Sequence, residues 1–181
     1  MRSIMRCAVA LIILMAVAAS AAYAGDFSAD VVSSSQGGPS TGRLWVSGDK
    51  SRMEMPRVTI ISRMDKKVVW VLMSSQKMYI EQPINLQTVA STQDKIYGEI
   101  ERTAEGNENI SGRSTTKYRI IFEANGKRES IFQWIDKSAH IPVKTSAIDG
   151  SWSSESRNIQ LGPQDPTLFE IPAGYSKMPD M

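Results

Sequence analysis

The sequence predicts an α+β domain dominated by one antiparallel β-sheet that must curl or close, with a helix from the middle of the chain covering its open mouth or concave face. Three observations carry this. Short runs of β-type residues follow one another with turn signals between them. The connections are too short for parallel crossovers, so the neighbours must be antiparallel. One mid-chain segment changes from a period of two to a helical period. About ten strands in one sheet cannot stay flat and open.

The first run spans residues 27–34, and 33–41 (SSSQGGPST) reads as the turn region after it. Residues 42–47 form the second run, ended by Gly48-Asp49-Lys50, and 52–55 the third, stopped by Pro56. Residues 58–64 lead into the charged turn Asp65-Lys66-Lys67, and 68–73 and 77–81 flank Ser74-Ser75-Gln76. In residues 85–101 the apolar positions Leu86, Val89, Ala90, Ile96, Tyr97 and Ile100 fit one helical face. Pro83 ends the preceding strand, and the Asn85 side chain is an acceptable N-cap. Residues 103–112 are polar and read as turns. Strand alternation returns at Tyr118, Ile120 and Phe122, and Asn125-Gly126 signals a tight hairpin into 130–136 because both residues accept positive φ. Residues 141–148 and 152–161 form another hairpin across Asp149-Gly150, and the Pro-rich tail from 163 reads as irregular. Residues 68–73 are apolar throughout and 131–135 nearly so, as in strands covered on both faces. Residues 152–160 (WSSESRNIQ) are mostly polar and short of large groups, as in an edge or an exposed strand.

The N-terminus has the form of a secretory signal: Arg2 and Arg6, an apolar run over residues 7–19, then Ala22-Tyr23-Ala24. Cleavage after Ala24 leaves one domain, residues 25–181, directed to the periplasm or secreted. Cys7 stands at the start of the apolar run and not after it, so it is not a lipidation site, and the mature chain has no thiol. The whole sequence has 21 basic and 19 acidic residues; without Arg2 and Arg6 the balance is 19 against 19. With no net positive charge and no basic run, nucleic-acid binding is not expected.

Catalytic chemistry finds no support in the spacing. His140 is the only histidine, near a strand end, and no Ser lies in a nucleophile elbow. One His and one Cys exclude most zinc, haem and iron–sulfur sites built by this chain alone. Glu99, Glu101, Glu105 and Glu108 form the densest acidic cluster, which solvation explains. Met53 and Met55 share a face. Core filling ranks first for them, a deformable apolar pocket second, and soft-metal binding with Met64 or Met73 a distant third. No metal, cofactor or catalytic residue is expected.

A resemblance joins these elements. Glu108-Asn109-Ile110-Ser111-Gly112, Thr116-Lys117-Tyr118, Trp134-Ile135, Ile141-Pro142-Val143-Lys144 and the run from Leu168 to Tyr175 follow in order. Arg52-Met53-Glu54-Met55, Val69-Trp70-Val71-Leu72 and Met78-Tyr79-Ile80-Glu81 precede them. Together they resemble the DUF4412 type of exported bacterial domain, itself similar to the periplasmic lipoprotein-carrier superfamily of outer-membrane lipoprotein-sorting proteins. The resemblance implies a curved, incompletely closed half-barrel with a helical lid over an apolar cavity, and a non-enzymatic role in binding acyl chains, lipoproteins or other apolar ligands.

The expected function is therefore a periplasmic binding or carrier protein for an apolar or amphipathic ligand, lipid or lipidated protein. Its expected cavity wall is Trp45, Met53, Met55, Ile60, Trp70, Leu72, Tyr118, Ile120, Phe122 and Trp134, and its expected lid is Leu86, Val89, Ile96 and Ile100. The alternative is an envelope interaction or sensory module with a filled core, for which 152–160 is the docking edge.

Overall fold

The computed structural model describes residues 25–84, 92–124 and 126–179. Their strands are β1 (Phe27–Ser35), β2 (Gly38–Ser47), β3 (Lys50–Glu54), β4 (Thr59–Arg63), β5 (Val68–Met73) and β6 (Met78–Pro83), then β7 (Glu99–Ile110), β8 (Arg113–Ala124), β9 (Lys127–Asp136), β10 (Pro142–Ala147), β11 (Ser153–Leu161) and β12 (Ser176–Lys177). All twelve belong to one sheet in the order β12-β6-β5-β4-β3-β2-β1-β11-β10-β9-β8-β7. Two meanders, β1–β6 and β7–β11, are joined where β1 pairs antiparallel with β11, Phe27 opposite Leu161. Only the short β12 runs parallel to its neighbour, β6.

Register assigns the faces, because side chains alternate and cross-strand partners share a side. Ala29 lies opposite Leu44, Leu44 opposite Met53, Met53 opposite Ile60, and Ile60 opposite Val71. Ser154 and Thr145 continue this face through β11 and β10, and Gln133, Tyr118 and Ile120 through β9 and β8. It is the concave one. Val143 and Thr145 of β10 line the same small cavity as Leu44 and Met53 of β2 and β3. In a flat sheet β10 and β3 would lie roughly 19 Å apart, four strand spacings. Phe27, Ala29, Val31, Leu44, Val46 and Ile141 form the core there.

The polarity of residues 152–160 does not mark an edge: β11 lies between β1 and β10. Its inner residues are small because the sheet curls at this point. Ser154 Oγ lies 3.3 Å from Ser33 Oγ, and Ser156 is buried. Residues 103–112 are also not a turn region. They belong to β7, the outer edge strand, which turns into β8 at Ser111-Gly112.

The connection from β6 to β7 must cross the whole sheet, since the two strands lie near opposite edges. Residues 85–91 of the expected helix lie outside the described residues. Residues 92–98 are turns, and Glu99 and Ile100 begin β7. The described part crosses the concave face. Gln93 donates through Nε2 to the Met64 sulfur at 3.0 Å, and its carbonyl accepts from Gln133 Nε2 at 2.9 Å. Ile96 is buried against Ile120, Phe122 and Ile131. Gly98 closes the crossing at φ +77°, its carbonyl accepting from the Glu123 N–H; a Cβ there would stand 2.6 Å from the Glu123 carbonyl oxygen.

The tail covers the convex face of β3–β6. A 3₁₀ turn, Pro166–Phe169, is capped by Asp165, whose carboxylate accepts from the Thr167 N–H. It places Phe169, 1% exposed, against Ile61, Trp70 and Leu72. Arg52 donates to the Leu168 carbonyl, and Arg63 to the carbonyl of Phe169 and the carboxylate of Glu170. Asp65 holds the other side of the Arg63 guanidinium at 2.7–2.8 Å.

Candidate functional site

The expected wall residues divide between the two faces. Trp45, Trp70 and Leu72 are convex and pack with the tail; Trp70 Nε1 also donates to Glu81 at 2.9 Å. Trp134 is convex too, with Nε1 on Glu108 at 2.8 Å and Lys117 and Lys144 about its ring. These four do not share a chamber with the rest. Met53 and Ile60 are concave, and Met55 follows them beside Gly42. Ile120 and Phe122 are concave and buried, with Tyr118 packed beside them under the Arg102 guanidinium. Of the expected lid, Ile96 lies on the concave face, and Ile100 is an exposed residue of β7 rather than of a helix. Leu86 and Val89 lie outside the described residues.

Two larger hollows are formed by the described residues of the concave face. One, of about 250 Å³, sits under Thr92 of the crossing segment, between Leu44, Met53 and Ile60 and the hydroxyls of Ser33, Ser51, Ser62 and Ser154. It falls below the range of small-molecule pockets, roughly 300–1,000 Å³. The other is a groove of about 670 Å³ at the end of β8–β10 where the hairpin turns lie. Its apolar wall is Phe122, Ile131, Ala147, Ile148 and Trp152. Glu129, Ser130, Asp149 and Ser151 complete it.

The local sequence builds this groove directly. Phe122 faces Glu129, Ile120 faces Ile131, and Ile131 faces Ala147, so three adjacent strands put these side chains on one side. Asp149-Gly150 turns β10 into β11; the Gly150 N–H donates to the Ala147 carbonyl, and Asp149 accepts from the Ser151 N–H. That Ser151 N–H, with the Ser151 side chain, holds the Asp149 carboxyl below the usual range. The turn brings Ile148 and Trp152 to the rim, 41% and 38% exposed. Large apolar groups at a hairpin turn are unusual where polar residues are the rule. That oddity is the sequence signal for the rim, and reading 152–160 as a polar edge obscured it.

The floor is held rigidly. Ile96 seals it from the crossing segment, and Arg102 anchors that segment through Glu99 at 2.7–2.8 Å and Asp94 at 3.2 Å. The Arg102 hydrogen bonds hold the Glu99 carboxyl below the usual carboxylate range. His140 lies far from any catalytic arrangement: it sits at φ 54° in the β9–β10 turn and donates its N–H to the Asp136 carbonyl.

Architecture and hollow together define a class: a curved, unclosed antiparallel sheet whose concave face carries a groove walled by apolar side chains. Solved structures share this fold. An uncharacterised conserved protein from Thermus thermophilus matches with a TM-score of 0.58 and 11% identity, covering 86% of this chain and 90% of that one. MucB matches with a TM-score of 0.52 and 12% identity over 84% of this chain. The MucA/MucB complex of Pseudomonas aeruginosa gives 0.51 and 15% over 81%. The chain spans 59% and 57% of those two proteins. At these identities the likeness is one of fold. No family model matches the chain, and no curated protein does.

Proposed function

We propose that this is an exported, non-enzymatic binding protein that takes an apolar or amphipathic ligand, a lipid acyl chain or the lipid of a modified protein, in the groove between β8, β9 and the β10–β11 turn. One observation carries the reading: a 670 Å³ groove whose apolar wall includes a half-open Trp and Ile on its rim. Burying such surface is favourable by about 25 cal/mol per Å², and an aromatic rim suits an amphiphile. Export rests on the basic, apolar and Ala-x-Ala order of residues 1–24. The resemblance to the DUF4412 type and to lipoprotein carriers agrees with this role.

The test is uptake of a fluorescent alkyl probe with a neutral head group by the mature chain. Trp152→Asp and Ile148→Asp are expected to lose probe binding about tenfold or more, with the circular dichroism spectrum kept. Trp70→Phe, on the opposite face, is expected to bind normally. Equal binding by all of these variants contradicts the assignment.

A second reading is an envelope protein-interaction module. It is favoured by the fold shared with MucB, which has been solved in complex with MucA. The docking edge in that case is β7, the outermost strand, since β11 is internal. A bound partner protein is then expected to slow hydrogen exchange of the amides of residues 99–110 and leave the Trp152 rim accessible.

A further inference from the structure

We infer that the groove selects amphiphiles with a cationic head group. The inference rests on the groove being a ligand site, as proposed above, and it names the chemistry of the ligand.

The charge around the groove points one way. Both ionisable side chains among its lining residues are acids, Glu129 and Asp149. Glu129 is exposed and has no ion-pair partner among the described residues. Asp149 spends one oxygen on the N–H of Ser151 and keeps its charge. No Lys or Arg is among the lining residues. Arg128 pairs in register with Glu123, and alternation turns it to the other face. Lys127 shares Glu129's face by the same alternation, one register pair nearer the β8–β9 turn, and is not among the lining residues of the groove. Arg102 is committed to Glu99 and Asp94.

A carboxylate or phosphate head group entering the groove would meet like charge and no cation among the lining residues. An ammonium or guanidinium would meet two carboxylates and the exposed indole of Trp152, whose ring face attracts cations. The alkyl part would then lie along Phe122, Ile131 and Ile148.

Three probes with the same twelve-carbon chain separate head group from tail: dodecyltrimethylammonium, dodecanoate and dodecyl maltoside. Each is titrated calorimetrically into the mature protein below its micelle concentration, at neutral pH and low ionic strength. The cation is expected to bind about tenfold tighter than dodecanoate, with the neutral maltoside between them. The preference is expected to shrink on adding salt, because the carboxylates are exposed. The double variant Glu129→Gln, Asp149→Asn, which keeps an oxygen acceptor in the turn, is expected to bring cation and anion to within about threefold while the maltoside is unchanged. Equal or tighter binding of dodecanoate by the parent protein, or a preference that survives the double substitution, overturns the head-group assignment and leaves the groove intact. Failure of all three probes to bind overturns the groove as a ligand site, and this inference with it.

Discussion

Asp136 shows how a single side chain fixes a turn in this protein. It ends β9, and one of its oxygens accepts from the N–H groups of Ser138 and Ala139 and the Ser138 hydroxyl. The other takes Arg113 Nε at 2.7 Å. Burial alone would raise its carboxyl, but the Ala139 N–H, Ser138 and Arg113 outweigh it and hold it at about 2. The ordinary value is 3.8. A carboxyl depressed on folding stabilises the protein above its unfolded pKa, and that contribution is lost as pH falls through the folded one. About 2 kcal/mol is therefore expected to disappear between about pH 4 and pH 2. Urea denaturation at several pH values checks this, and Asp136→Asn should flatten that part of the profile. Gly98 makes a second residue-scale case. Gly98→Ala places a Cβ against the Glu123 carbonyl at positive φ and is expected to cost about 1–3 kcal/mol in chemical denaturation.

At the scale of elements, the tail and the crossing segment act as two covers on opposite faces. The tail is anchored by Phe169 in the cluster around Trp70. Phe169→Ala is expected to cost about 3–5 kcal/mol and to shift tryptophan emission to the red as Trp70 gains water. A mutant with unchanged stability would mean that the tail only rests on the sheet. The strands were legible in the sequence because alternation and turn chemistry are local: residues 68–73 match β5, and Asn125-Gly126 separates β8 from β9. Elements whose form depends on the rest of the sheet were not. The apolar spacing of Ile96, Tyr97 and Ile100 suits a helix, yet Ile96 and Tyr97 lie in turns that lead into β7 and Ile100 lies in β7 itself. Residues 103–112 look like a loop because an outer strand packed on one edge needs no apolar face.

At the scale of the whole molecule, one pairing joins the two meanders. β1 meets β11 only when residue 27 finds residue 161, so the sheet depends on a contact between distant parts of the chain. Such topologies fold in milliseconds to seconds, and stopped-flow refolding of the mature chain is expected to fall in that range. The same curl decides what can be read of the site. Which of two alternating faces becomes concave is set by this closure. Sequence therefore placed Met53, Ile60, Ile120 and Phe122 with Trp70 and Trp134, although the former line the inside and the latter the outside. The groove itself is made where the β10–β11 turn of the second meander meets side chains of β8 and β9, a juxtaposition no local pattern records.

Whether that groove holds a ligand is measured most directly by native mass spectrometry and lipid extraction of the protein, purified from its source cells without detergent. One amphiphile per chain is expected on the parent protein, and none on folded Trp152→Asp. An empty parent protein that also fails to take up a fluorescent alkyl probe with a neutral head group would contradict a binding function for this face.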